Sequence, residues 1–341
     1  MTDLPTIEGR PRPAAAPIAP TPPFPPPRPH KLGLLRLLLT LWRNPLDAWA
    51  RPYFEQMIVV DRSILGEMAV INAPEAIRRV LADNSENYRK DRLQRRVLGK
   101  AMRDGLLLAE DRRWREQRRA AAPAFALRGV TEFAPAMRSA IDDLIARWRG
   151  LGDGAVVDVA AEAARLTLDV LTRTIFADGL GDDREQVRRH MRTYFDSVGR
   201  IDALDLLGLP AFLPRSGRGR VRRAQVFFDA AVQRLLATRN DLLAADPASA
   251  PHDLLTLLLA SRQNGCGLTD DEIRANLVTF IAAGHETTAN ALTWSLFLLT
   301  LAPEWREGVA AEADGGEPAA LVATRAVVDE ALRLYPPLVA L

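Results

Sequence analysis

The stretch that decides the fold runs from residue 270 to residue 303 and reads DDEIRANLVTFIAAGHETTANALTWSLFLLTLAP. Thr269 precedes it and Glu272 follows three residues later, which is the spacing of a helix capping box. A helix from Asp271 to Ala302 would be about 48 Å long at the usual rise per residue. We therefore predict one long central helix, about residues 271–302, that crosses a whole domain.

This helix is apolar enough that a membrane span has to be weighed. Between Ala275 and Pro303, Glu286 is the one fully charged side chain. Polar residues such as Asn276 and His285 lie nearby, and an acidic side chain near the middle of a span costs about 2.5 to 3.5 kcal/mol for insertion. The sequence favours a buried core helix.

Three small residues, Ala282, Ala283 and Gly284, stand together in this helix, and a polar run, His285 to Thr288, follows them. A glycine in mid-helix costs roughly 0.5 to 1 kcal/mol against alanine, and one interpretation is that another group approaches the backbone closely there. Threonine hydroxyls can also bond back to a preceding carbonyl and open a polar notch. Plain helix packing through small residues explains the pattern equally well, and spacing alone leaves both interpretations open.

The run Ala283-Gly284-His285-Glu286-Thr287-Thr288 resembles the oxygen-activation motif on the central helix of cytochromes P-450, which are haem-thiolate monooxygenases. The resemblance implies haem as cofactor and O2 as co-substrate. It also implies that Glu286 and Thr287 assist proton delivery during oxygen activation, and that Ala283 and Gly284 form the oxygen groove.

Two further pairs match the family in their order along the chain. Trp114 and Arg118, four residues apart, resemble the element that holds a haem propionate, a task that suits the planar guanidinium. Glu330 and Arg333 resemble the Glu-x-x-Arg helix, whose implied role is structural. Without the resemblance, both would be interpreted as solvated neighbours on a helix.

The composition fits a folded enzyme domain. The 341 residues are 48% hydrophobic and carry a formal net charge of +2, so no strong field attracts nucleic acid. We predict a mainly α fold of the cytochrome P-450 type with a small N-terminal β hairpin, formed by residues 57–61 and 67–71 around Gly66. Residues 1–30 contain eleven of the 24 prolines and are expected to be a disordered leader; residues 31–341 are expected to be a partial cytochrome P-450 domain.

The resemblance fails at one point, the axial ligand. The family binds its iron through a cysteine in a Phe-x-x-Gly loop downstream of the Glu-x-x-Arg helix, whereas this chain ends eight residues after Arg333. Cys266, the one cysteine, precedes the central helix in an apparent turn. The expectation is a fold that is incomplete at its C-terminus and an inactive fragment. A haem-free helical remnant that acts as a binding or interaction module is the alternative.

The function implied by the resemblance is insertion of one oxygen atom of O2 into a small apolar substrate. Electrons would come from a ferredoxin- or flavoprotein-type donor. A single cysteine suits the cytoplasm. The apolar run from Leu32 to Trp42 is too short to span a membrane, so membrane contact is expected to be peripheral at most.

Two rival functions are weaker. A zinc protease needs a second histidine at position 289, which is alanine. A nucleic-acid binder would use the arginines between Arg215 and Arg223, but it leaves the motif on the central helix unexplained.

Overall fold

The structure is a computed structural model that describes residues 22–24, 26–63, 66–177, 184–195, 218–262, 267–315 and 321–338. In this part of the chain the strands are β1 (Ile58–Ser63) and β2 (Gly66–Ile71). The helices before them are α1 (Leu34–Arg43) and α2 (Pro52–Glu55). The helices after them are α3 (Pro74–Arg78), α4 (Arg92–Met102), α5 (Asp111–Ala121), α6 (Leu127–Arg149), α7 (Val159–Ile175), α8 (Arg184–Phe195), α9 (Arg218–Ala245), α10 (Leu254–Ala260), α11 (Asp270–Leu301), α12 (Pro303–Gly315) and α13 (Val322–Leu334). The predicted mainly α fold with an N-terminal hairpin is confirmed.

The long central helix is α11, whose bounds differ from the prediction by one residue at each end. Its capping box forms as expected. The backbone N–H of Thr269 donates to Glu272 Oε2 at 2.9 Å, and the backbone N–H of Glu272 donates to Thr269 Oγ1 at 3.2 Å. None of the helices in the described ranges has both the length and the apolar character needed to cross a membrane.

Contacts between residues divide the chain into two units. The larger unit is Pro25–Asn290, and the smaller consists of Met1–Phe24 with Ala291–Leu341. The core of the larger unit is apolar and continuous, and the first half of α11 contributes Ile273, Leu277 and Ile281, which are fully buried. Their spacing of four residues places them on one face of the helix.

The hairpin pairs β1 and β2 antiparallel, from Ile58 opposite Ile71 to Ser63 opposite Gly66. The backbone near the end of the predicted leader joins the larger unit, because the Arg51 N–H donates to the Arg28 carbonyl at 2.7 Å. Residues 1–21 lie outside the described part, so their disorder stays a prediction.

In the smaller unit, Glu312 of α12 caps α13. Its two carboxylate oxygens accept the backbone N–H groups of Ala323 and Thr324, at 2.6 and 2.9 Å. These two donors hold the pKa of Glu312 below its ordinary value. The start of α13, the helix that carries Glu330 and Arg333, is thereby fixed to α12.

Candidate functional site

The four predicted catalytic residues lie within five positions of α11. Ala283 and Glu286 are exposed, whereas Gly284 and Thr287 are half-buried. The Thr287 hydroxyl donates to the Ala283 carbonyl at 2.5 Å, which is the back-bond that the sequence suggested. The Glu286 carboxylate has no hydrogen-bond or ion-pair partner among the described residues. The helix therefore presents a hydroxyl tied to its own backbone beside a carboxylate that is available to other groups.

The opposite side of the same turn packs against α7. A Cβ atom added at Gly284 would lie 3.0 Å from Leu171 Cδ2. The next residue, His285, is buried, and its Nδ1 lies 3.1 Å from the Thr167 hydroxyl. Packing through a small residue thus accounts for Gly284, while Ala283 faces away from this contact. The packing interpretation is thus supported at Gly284, and the oxygen groove at Ala283 stays a prediction.

A cavity of about 320 Å³ lies beside the motif. Its wall from α11 includes Ala282, Ala283 and Glu286, and further apolar lining comes from Leu98, Met102, Leu107 and Phe195. This volume is at the lower end of the range for small-molecule sites. One carboxylate in a mainly apolar lining suits a small apolar ligand better than a charged one.

Trp114 and Arg118 lie together on α5, with the guanidinium carbon 5.7 Å from the centre of the indole ring. Both side chains are exposed. Three other arginines of this helix pair with carboxylates, namely Arg112, Arg113 and Arg115. Arg118 has no such partner within the described ranges. Its guanidinium lies over the tryptophan ring at cation–π distance, and its donors are open to a carboxylate from a ligand.

A buried polar network joins α5 to α11, and the sequence did not reveal it. The Asn276 amide donates to Gln117 Oε1 at 3.1 Å, and the Gln117 amide donates to the Asp104 carbonyl at 2.8 Å. Asn276 also accepts the Leu106 N–H at 2.8 Å. Gln117 follows Trp114 by one turn, so this network fixes the helix that carries the Trp114–Arg118 pair against the helix that carries the motif.

An ion pair closes the network at the start of α11. Arg113 donates to Glu272, which is nearly buried. Burial acts to raise the pKa of Glu272, but the Thr269 N–H and the Arg113 guanidinium outweigh burial and hold that pKa below its ordinary value of 4.5. A lowered carboxyl pKa contributes stability that is present above 4.5 and is lost as the pH falls below it.

We expect Glu272→Gln to lower the free energy of unfolding by about 2 kcal/mol at pH 7, because glutamine can still cap the helix but cannot pair with Arg113. At pH 3 the free energies of unfolding of the variant and the parent should differ much less. Urea unfolding at both pH values measures this. Glu304→Gln, on the exposed start of α12, is the control and should leave the free energy of unfolding unchanged at both pH values. An equal loss at both pH values would contradict the assignment.

Glu330 and Arg333 lie on α13 and form a two-pronged ion pair, with both nitrogen to oxygen distances at 2.7 Å. Hydrogen bonding to Arg333 lowers the pKa of Glu330. They belong to the smaller unit, whereas the motif and the Trp114–Arg118 pair belong to the larger one. Cys266 and Arg215, the first of the arginines considered for nucleic-acid binding, lie outside the described residues.

Comparison with known proteins gives the family. The sequence profile of cytochrome P450 matches residues 25–341. Cyclooctat-9-en-7-ol 5-monooxygenase of Streptomyces melanosporofaciens is 30% identical over 91% of this chain and 68% of its own length. Pentalenene oxygenase of Streptomyces avermitilis is 33% identical over 69% of this chain and 52% of its own length. Putative cytochrome P450 137 of Mycobacterium tuberculosis is 40% identical over 51% of this chain and 36% of its own length.

The chain thus spans about two thirds of the first relative and about half or less of the other two. The profile match covers nearly all of the described residues, including the motif on α11, the Trp114–Arg118 pair and the Glu330–Arg333 pair. The chain belongs to the cytochrome P450 family.

Proposed function

We propose that this chain is the motif-bearing part of a monooxygenase that inserts one oxygen atom of O2 into a small apolar molecule. The observation that carries the proposal is the wall of the cavity on α11. There Ala282 and Ala283 leave room, and the Glu286 carboxylate stands at the edge of an apolar lining. An apolar molecule would fit beside groups that can hold a proton.

The family's cofactor is haem, and the residues present fit it in part. Arg118, stacked on Trp114 and without a carboxylate partner in the described part of the chain, is suited to a propionate. The small residues of α11 leave space on one face of that helix. When bound, haem supplies the activation of dioxygen. The described residues contain no cysteine, and Cys266 lies ahead of α11.

Thr287 and Glu286 have the chemistry of a proton relay. The Thr287 hydroxyl donates to the Ala283 carbonyl, so its oxygen lone pairs remain free to accept a hydrogen bond from water. The Glu286 carboxylate, exposed at the cavity, can exchange protons with solvent. We assign Glu286 the exchange with solvent and Thr287 the orientation of the proton.

The apolar lining also suggests the substrate class. Two relatives are named for cyclooctat-9-en-7-ol and for pentalenene. We propose a compact, largely hydrocarbon substrate for this chain, since Leu98, Met102 and Phe195 offer no hydrogen-bonding side chain to it.

A separate ferredoxin- or flavoprotein-type electron donor would dock on α5. Arg119 is exposed on this helix next to the Trp114–Arg118 pair, together with Arg112 and Arg115, which already pair with Glu116 and Glu86. A row of arginines attracts an acidic partner, and that attraction weakens with salt.

We place the protein in the cytoplasm, with peripheral membrane contact at most, because its single cysteine suits a reducing compartment.

The test of this function is the Thr287→Val variant, made in the haem-loaded chain to which a family segment with the cysteine loop is fused after Leu341 and supplied with an electron donor. Valine keeps the shape but removes the hydroxyl, so product formed per electron consumed should fall about tenfold, the equivalent of one hydrogen bond. Thr287→Ser should retain most of the yield. Thr288→Val, one position along and exposed, is the control and should behave as the parent.

Equal product yields per electron from Thr287→Val and the parent would show that Thr287 is not part of the proton relay. A chain that binds apolar ligands in the cavity but takes up no haem under any condition would instead favour the haem-free binding module.

A further inference from the structure

An aromatic platform lies in the smaller unit, away from the motif along the chain. The rings of Trp294 and Tyr335 are stacked, with centroids 3.9 Å apart and planes within 11°. Phe297, one turn along α11, meets the Trp294 ring edge-on at 5.7 Å. Three aromatic rings are thus held in fixed mutual orientation by the end of α11 and the end of α13. Neither the motif nor the cavity uses this platform.

The hydroxyl of Tyr335 donates to the Pro23 carbonyl at 2.8 Å. Pro23 belongs to the run Pro22-Pro23-Phe24-Pro25-Pro26-Pro27, in which proline fixes the backbone and removes N–H donors. An extended proline-rich backbone makes no internal hydrogen bonds, so its carbonyls are open acceptors. The bond joins residues 312 positions apart. A contact over that distance along the chain does not follow from local geometry.

The pattern of contacts agrees with this bond. The chain through Phe24 groups with Ala291–Leu341, and the chain from Pro25 onward groups with the larger unit. Pro22 is half-buried, although Pro23 and Phe24 are exposed. The boundary between the smaller and the larger unit therefore lies inside the proline run.

We propose that Trp294 and Tyr335 form a polyproline-binding site, which the chain's own Pro22–Phe24 segment occupies. Aromatic rings with a hydroxyl or indole donor are the usual means by which proteins bind a proline-rich backbone. Here the occupant is tethered, so its effective concentration at the site is of the millimolar order. The Pro22–Phe24 segment acts as a strap on the α11–α13 junction, and a free proline-rich segment binds there once the strap is removed.

The direct test uses a labelled peptide of residues 18–30 and the chain that lacks residues 1–24. Fluorescence anisotropy should show binding to this shortened chain, and binding to the full chain should be at least about tenfold weaker because the tethered segment competes. Tyr335→Phe in the shortened chain should weaken binding about threefold to tenfold through loss of one hydrogen bond. Tyr88→Phe, an exposed tyrosine of the larger unit, is the control.

A second variant removes the dependence on the shortened chain's folding. In the full chain, Pro22→Gly with Pro23→Gly loosens the strap and leaves the platform unchanged. This variant should bind the peptide at least about threefold more tightly than the unaltered full chain, because a looser strap competes less well. Equal affinities of these two full chains would overturn the proposal, as would peptide affinity that is indifferent to Tyr335→Phe. No haem is needed in either measurement, so failure of the proposed monooxygenase function would leave this result intact.

Discussion

Asp253→Ala is expected to lower the free energy of unfolding by about 3 to 5 kcal/mol, because it removes the buried carboxylate that pairs with the Arg239 guanidinium and accepts two backbone N–H groups. Both side chains are almost fully buried. Arg239 Nη1 donates to both carboxylate oxygens, at 2.9 and 2.8 Å. The same carboxylate accepts the Thr256 N–H at 2.8 Å as the cap of α10, and the Ala177 N–H at 3.1 Å beyond the end of α7. One side chain therefore ties three helices together.

Chemical unfolding at neutral pH measures this loss. Asp246→Ala is the matched control, since Asp246 also caps a helical turn, Pro247–Ser249, but lies on the surface. It should cost about 1 kcal/mol or less. Arg239→Met combined with Asp253→Asn should cost less than the sum of the single changes, because the double variant removes both buried charges of the pair together. A loss below about 1 kcal/mol for Asp253→Ala would contradict the role of this pair.

The second large effect is expected at Gly105, between α4 and α5. A Cβ atom there would lie 2.6 Å from Thr279 Oγ1 and 2.7 Å from the Ala275 carbonyl oxygen. Because the carbonyl belongs to the backbone of α11, it cannot give way as a side chain could. Gly105→Ala should therefore destabilise the protein by about 3 kcal/mol, at the upper end for overpacking.

The matched control for this change is Gly99→Ala. Gly99 lies inside α4, where an added Cβ would meet Leu108 Cδ1 at an ordinary 3.9 Å. Alanine is the better helix former, so Gly99→Ala should stabilise the protein by up to about 1 kcal/mol. Thermal unfolding of the two variants should shift in opposite directions. A Gly105→Ala variant with unchanged thermal unfolding would mean that the backbone at Gly105 is not in close contact with α11.

Local patterns were enough to predict the central helix. The box formed by Thr269 and Glu272 involves residues three apart, and its donors and acceptors are fixed by helix geometry. The back-bond of Thr287 to Ala283 is local in the same way. The hairpin also followed from short strand-forming runs around a turn, with Gly66 found as the first residue of β2.

Asn72 shows where local patterns fail. Its place before Pro74 suits a helix cap, yet Ala73 occupies the cap position of α3 without a side-chain bond. The Asn72 amide donates instead to the carbonyls of Tyr53 and Gln56, both at 2.8 Å. An asparagine side chain can serve either purpose, and only the tertiary fold brings those carbonyls within reach.

The buried network of Gln117 and Asn276 could not be predicted from the sequence for the same reason. The bond between these two amides joins residues 159 positions apart, and nothing in a single sequence pairs them. One signal was present: Asn276 is an amide in an otherwise apolar part of the helix, and a buried amide needs a partner. The identity of that partner required the structure. The roles assigned to the motif residues come from the resemblance and stay predictions.

We propose that α11 and the Trp114–Arg118 pair form the motif-bearing side of a cytochrome P450 haem site, and that Cys266 is not its thiolate ligand. The most direct test is the absorption spectrum of the purified 341-residue chain after addition of haem, reduction and exposure to carbon monoxide. No long-wavelength thiolate-type band is expected from this chain, whereas the band should appear when a family segment with the cysteine loop is fused after Leu341. A thiolate-type band from the unfused chain would contradict the claim, because Cys266 or another ligand would then complete the site.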